Sequence, residues 1–140
     1  MSLYLDANVL VALLTPDTLA DRFRDLVARN EGSLIVSDFA VAEYASVLSQ
    51  RVRSGMLSRR DGSAALDALD SWLAANARWA VIGPAEIAVA AGFLRRRDLK
   101  IPSPDAIHIA AAQRLGATLI TLDYRIAAAA CALGIAVAEP

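Results

Sequence analysis

Five short apolar runs, separated for the most part by stretches long enough for one or two helices, constrain this chain more than any other feature. They are Leu3-Tyr4-Leu5, Ser33 to Val36, the weaker Ala80-Val81-Ile82, Thr118-Leu119-Ile120-Thr121, and Ile135 to Ala138. The intervening segments read as helices. Asn8 to Leu14 is short and stops near Pro16. Asp17 or Thr18 opens an amphipathic helix to about Asn30, with Leu19, Phe23, Leu26 and Val27 on one face. Ser37 or Asp38 caps a long helix to about Ser54, closed by Gly55, and Ser58 to Ala77 turns Leu66, Leu69, Trp72 and Leu73 inward. Ala85 to Arg97 follows Pro84, a helix opened by Ser103 and Pro104 ends at Gly116, and Arg125 to Leu133 is the last. Strands that are apolar on both faces, alternating with helices, belong to a parallel sheet covered on each side. The expected fold is therefore α/β: an α/β/α sandwich around a central, mainly parallel sheet of about five short strands. A chain of 140 residues makes one such domain.

In sheets of this kind, function gathers at the carboxyl ends of the strands. Asp6 stands immediately after the first strand and Asp123 immediately after the Thr118 to Leu122 run, so both lie at the same edge. Asp105 follows Ser103-Pro104, which suits a cap and a first helical position, and so falls where the helix dipole favours a negative charge. Ala106, Ile107, Ile109, Ala110, Ala111 and Ala112 then leave that helix apolar almost all round, which implies burial. Glu43 has Ala40 and Val47 as helical neighbours and no other charge between Asp38 and Arg51, a setting costly for a carboxylate without a partner. Each acid has a local reading: Asp6 and Asp105 serve helix caps, Glu43 is an exposed rung, Asp123 forms a turn. Their convergence on one sheet edge calls for another. Two carboxylates about 4 Å apart repel by roughly 4 kcal/mol at an effective dielectric of 20. A hard divalent cation, Mg2+ or Mn2+, removes that penalty, binds phosphate oxygens and lowers the pKa of a coordinated water.

Composition narrows the classes. The longest uncharged apolar stretch, Ile126 to Ala138, is short of the ~20 residues a membrane helix needs and contains Gly134, so no membrane span is expected. The N-terminus has no basic region before its apolar run, and Asp6 interrupts that run, so the reading is not a secreted chain. A single cysteine, Cys131, excludes an internal disulfide and a thiolate zinc site, reads as a small buried hydrophobe, and fits a reduced cytoplasm. Net charge is −1, so the overall field does not mark a nucleic-acid binder. Basic residues do cluster locally, at Arg95-Arg96-Arg97 with Lys100 and at Arg51, Arg53, Arg59 and Arg60. Both clusters read either as solvated helix ends or as phosphate contacts.

Tyr4-Leu5-Asp6-Ala7-Asn8-Val9-Leu10, Ser37-Asp38-Phe39-Ala40-Val41-Ala42-Glu43, Pro104-Asp105-Ala106-Ile107-His108-Ile109-Ala110 and Thr121-Leu122-Asp123, in that order over nearly the whole chain, resemble the motifs of PIN-domain ribonucleases, closely those of VapC-type toxins. The resemblance implies a single PIN domain over residues 1–140, Mg2+-dependent cleavage of RNA, homodimerisation and inhibition by a small VapB-like antitoxin. It makes Asp6 and Asp105 the principal metal ligands, with Glu43 and Asp123 completing the catalytic acidic pocket and Asn8 orienting the first acid. Arg95, Arg96, Arg97 and Lys100 become candidates for positioning RNA. Two departures stand out: Ala7 replaces a hydroxyl residue often found there, and Ile126 stands where an aromatic is common, which weakens Asp123 as a ligand.

His108, the only histidine, lies one turn below Asp105 and reads as a packed core residue rather than a catalytic base. Trp72 and Trp79 read as core or interface. Other functional classes stay open: a non-catalytic RNA-binding or regulatory PIN module, a housekeeping RNA-processing nuclease, or a phosphotransfer domain using Asp6. The last needs a second acid beside the first and a lysine after a late strand. Position 8 is Asn, and Lys100 is the only lysine.

Overall fold

Leu3, Tyr4 and Leu5 form β1 (Leu3–Leu5), which is buried throughout and ends at Asp6. In the computed structural model, which describes residues 1–16 and 20–138, this strand lies at the centre of a sheet. The expected opening of the second helix at Asp17 or Thr18, with Leu19 on its face, lies outside the described residues. β2 (Leu34–Ser37), β3 (Ala77–Ala80), β4 (Thr118–Ile120) and β5 (Val137–Ala138) complete five strands among the described residues, in the order β3-β2-β1-β4-β5. All pairings are parallel, with Leu3 opposite both Leu34 and Thr118, and Leu5 opposite Ile120. The chain builds outward from β1 to β3 and then returns to build the other way from β4. The carboxyl ends of β1 and β4 therefore flank the switch point, where such sheets leave a crevice.

The helices are α1 (Ala7–Leu14), α2 (Ala20–Arg29), α3 (Asp38–Arg53), α4 (Arg59–Asn76), α5 (Pro84–Leu94), α6 (Ser103–Leu115) and α7 (Tyr124–Ala132). Alternation along β1 divides them into two layers. Leu3 and Leu5 pack with Val9, Leu10, Phe23, Tyr44, Leu48 and Leu69, under α1 to α4. Tyr4 faces the other way with Ile35, Ile109, Ala112, Leu119 and Ile126, under α6 and α7. Each Leu or Ile so enclosed contributes roughly 1.5–3 kcal/mol relative to exposure. Side-chain caps start several helices: Ser37 Oγ accepts from Ala40 N–H, Ser58 from Asp61 N–H, and Asp123 from Arg125 N–H.

α5 and α6 form an antiparallel pair. Buried Glu86, in the first turn of α5, contacts Arg114 in the last turn of α6, and Ala90 packs on Ala106 and Ala110. The basic segment at the end of α5 is thereby returned to the end where α6 begins.

Several expectations need correction. The third strand is Ala77–Ala80, not Ala80 to Ile82, because Leu34–Ser37 pairs residue by residue with Ala77–Ala80, while Ile82 N–H is taken by Asp38 Oδ1 at 2.9 Å. Ser103 does not cap α6: the cap position is Pro102, without a side-chain bond, and Ser103 is already helical. Leu66 is exposed, since Ala65, Leu69, Trp72 and Leu73 take the inward stripe of α4. Cys131 is exposed because Ala129 and Ala130 carry the inner face of α7, and Trp79 on edge strand β3 is half-exposed. Trp72 packs against the core as expected.

Candidate active site

The crevice at the switch point holds a cavity of about 80 Å3 whose walls carry Asp6, Asn8, Glu43, Asp105 and His108, closed by Ala7, Val47 and Ile126. Three elements bring the acids there: the end of β1, the second turn of α3 and the first turn of α6.

Asp6 is almost fully buried and heavily bonded. Its Oδ1 accepts from Asn8 N–H at 2.6 Å and Val9 N–H at 3.3 Å, so it also caps α1. Its Oδ2 accepts from the Thr121 hydroxyl at 2.5 Å. That contact follows from the register: Leu5 opposite Ile120 sets Asp6 beside Thr121. Burial raises the Asp6 carboxyl above its usual range, while the Thr121 hydroxyl and the His108 ring pull it back. The bond from Asn8, expected to orient Asp6, comes from its main chain.

Asp105 is half-buried and pushed up to about 6, first by desolvation and next by the charge of Asp123, with Asp6 and Glu43 adding smaller repulsions and His108 opposing them. The other three acids named from the sequence thus all act on Asp105 through space. Asp123 is placed differently from the rest. It stands beside the cavity rather than in its wall, caps α7, and bonds the Arg125 guanidinium at 3.2 Å. That guanidinium holds its carboxyl below the ordinary value.

Glu43 is partly buried, and its Oε2 lies 2.5 Å from His108 Nε2. His108 Nδ1 lies 2.9 Å from the Tyr4 hydroxyl, which lies 2.8 Å from Ser37 Oγ. Burial raises the Tyr4 phenol far above its usual range. His108 is buried, as expected, yet it is bonded at both ring nitrogens and forms part of the cavity wall.

Arg95, Arg96, Arg97 and Lys100 are exposed at the mouth of α6 and contribute nothing to the cavity wall. Arg96 is paired with Asp98 at 2.7 Å. Lys100 has φ 53°, a left-handed turn that redirects the chain into α6.

The model of the family described as "PIN domain" matches residues 3–131. This chain belongs to the PIN domain family. Among solved structures, the toxin VapC20 of Mycobacterium tuberculosis, described as cleaving the Sarcin-Ricin loop, superposes with TM-score 0.76 at 20% identity, covering 99% of each chain. The VapBC2 complex of Rickettsia felis, bound to a promoter DNA fragment, gives 0.71 at 17% over 99% of this chain and 98% of that one. FitAcB of Neisseria gonorrhoeae gives 0.69 at 19% over 99% and 97%. No curated protein matches the chain significantly.

Within this PIN fold, the donor set suits a hard divalent cation: carboxylate oxygens from three elements, in a setting where desolvation and then the charge of Asp123 hold Asp105 near 6. Among the described residues, no three metal-ligating side chains stand grouped as a ready-made cage. Sequence reasoning gave no part in the site to Thr121, Arg125, Tyr4 or Ser37, the last of which it named only as a helix cap. Thr121 had a usable signal, one residue beyond a strand paired with β1. The others became visible only once strands and helices were assembled.

Proposed function

We propose that this PIN chain is a divalent-metal-dependent endoribonuclease that acts as the toxin of a toxin–antitoxin pair. The observation that carries the reading is the convergence of Asp6, Glu43 and Asp105 on the wall of one cavity, with Asp123 beside it. Fold similarity to VapC20 and to VapBC and FitAB complexes supports the substrate and partner classes. Asp6 and Asp105 would hold the ion, Mg2+ or Mn2+, with Glu43 completing the pocket directly or through water. When bound, such an ion supplies Lewis acidity toward water and phosphate oxygen. The chain's own contribution is to keep Asp6 rigid through three donated hydrogen bonds and to present Asp105 at the cavity mouth. Asp123 adds negative charge from the rim while Arg125 tempers it. Arg95, Arg96, Arg97 and Lys100 offer cations to RNA beside α6. On this reading the whole of residues 1–140 forms one PIN domain that works in the cytoplasm as a homodimer, restrained by a small VapB-like antitoxin. Among the described residues, no helix is long and apolar enough to cross a membrane.

The test is cleavage of structured and unstructured RNAs by the purified chain, with Mg2+ and with EDTA. Cleavage that requires Mg2+ and disappears in Asp6→Ala and Asp105→Ala is expected. Equal cleavage in EDTA, or full activity of either variant, overturns the reading. Metal binding without cleavage of any RNA points instead to a non-catalytic RNA-binding module.

A further inference from the structure

Four side chains from four different elements form a continuous hydrogen-bonded line behind the acid cavity. Ser37 closes β2, Tyr4 is the middle of β1, His108 lies in the second turn of α6, and Glu43 lies in the second turn of α3. The successive separations are 2.8 Å from Ser37 Oγ to Tyr4 Oη, 2.9 Å from Tyr4 Oη to His108 Nδ1, and 2.5 Å from His108 Nε2 to Glu43 Oε2. We propose that His108 is the positioning residue of Glu43, turning that carboxylate so that one oxygen is anchored and the other faces the cavity. The proposal rests on the nuclease reading above and deepens it.

Chemistry fixes the direction of the last bond. An ionised carboxylate only accepts, so Nε2 of His108 must carry the hydrogen it gives to Glu43. Nδ1 is held by the Tyr4 hydroxyl, which accepts from a protonated ring and donates to a neutral one. At the far end Ser37 Oγ accepts from Ala40 N–H at 3.1 Å as the cap of α3. The helix that carries Glu43 therefore also anchors the other end of the line.

Packing holds the ring that makes the crucial bond. The His108 ring sits against Tyr4 with centroids 5.8 Å apart and against Phe39 at 5.1 Å, both tilted. Its side chain is 3% exposed against 29% for Glu43, so the donor is fixed and the acceptor is the group that could otherwise move. Among the described residues, no arginine or lysine bridges Glu43. Without His108 its carboxylate is free to swing out of the cavity, driven by repulsion from Asp105 and Asp6. Groups that orient a ligating carboxylate typically alter metal affinity or activity ~10–100-fold when removed.

The asymmetry of the ring supplies the test. Gln at position 108 carries an amide nitrogen near the place of Nε2, whereas Asn carries its amide near Nδ1 and cannot reach Glu43. Mn2+ binding without RNA is measured by electron paramagnetic resonance, and kcat and KM for RNA separately, on the intact chain. His108→Asn is expected to weaken Mn2+ binding and lower kcat about tenfold with KM unchanged, while His108→Gln stays within about threefold of the parent. Tyr4→Phe keeps the ring packing, removes the hydrogen-bond partner of Nδ1, and is expected to weaken Mn2+ binding about threefold; it decides the matter if His108→Asn fails to fold. Unchanged Mn2+ affinity in whichever of these two variants is read, or a loss in His108→Gln equal to that in His108→Asn, overturns the proposal. Failure of the parent chain to cleave RNA would sink the nuclease reading alone, because the Mn2+ comparison still separates Gln from Asn.

Discussion

Replacing Asp105 by Asn should make the metal-free protein more stable while destroying the proposed activity. The carboxyl is pushed up to about 6, chiefly by desolvation and then by Asp123, so the folded state resists its ionisation. Between the unfolded carboxylate range near 4 and the folded value near 6, the native state binds more protons than the unfolded chain. Stability must therefore fall as pH rises through that window and stay lowered above it. A shift of this size corresponds to about 3 kcal/mol for a fully buried group. Asp105 is only half-buried, and solvent screening leaves about 1–1.5 kcal/mol. One effect opposes it, since Asn forfeits the favourable placement of a negative charge in the first turn of α6, worth roughly 0.3–1 kcal/mol. The net gain for Asp105→Asn at pH 8 is then about 0–1.2 kcal/mol, or up to roughly 4 °C in Tm for a chain of this size.

Thermal melts in EDTA at a series of pH values between 4 and 8 provide the assay. The variant should melt above the parent at pH 8, and the advantage should vanish as pH falls below about 4. Saturating Mg2+ should reverse the order, because a ligand at ~100 times its Kd stabilises the form that binds it by about 2.7 kcal/mol. A Tm difference between variant and parent that stays the same from pH 4 to pH 8 in EDTA would show that the fold does not resist ionisation of Asp105.

Three further outcomes follow from the same geometry. Thr121→Val removes the donor to buried Asp6 Oδ2 and the acceptor for Asp123 N–H, and should cost about 2–3 kcal/mol in urea unfolding; a loss below about 1 kcal/mol would mean both groups find other partners. Arg125→Gln releases Asp123 and withdraws a cation near Asp105, so Asp105 should titrate higher and the acid limb of the pH–rate profile should move to higher pH; an unmoved limb refutes the coupling. Arg95→Ala, Arg96→Ala and Arg97→Ala combined should flatten the dependence of log Kd for single-stranded RNA on log salt by about 2 if all three meet phosphates, and an unchanged slope assigns them to solvent.

The acids were readable from the sequence because each is tied to local punctuation. Asp6 ends a strand and caps a helix at once, Asp123 caps a helix in the turn three residues beyond Ile120, where β4 ends short of the expected Leu122, and Asp105 sits where a proline-led helix starts. A residue that performs a local task must stand at a particular turn of chain, and that turn can be seen without the fold. The line from Ser37 to Glu43 has no such marker. Tyr4 lies one residue out of phase with Leu3 and Leu5, Ser37 one out of phase with Val36, and phase alone puts both on the face that α6 covers. What remained hidden was the register setting Tyr4 opposite Ile35, which brings Tyr4 and Ser37 within one hydrogen bond, and the packing of α6 that brings His108 to them. The sequence placed His108 in the core, and the structure adds that the same buried ring reaches the cavity wall. Its packing against Tyr4 and Phe39 holds the ring still, and the bonds at its two nitrogens tie β1 to Glu43 on α3.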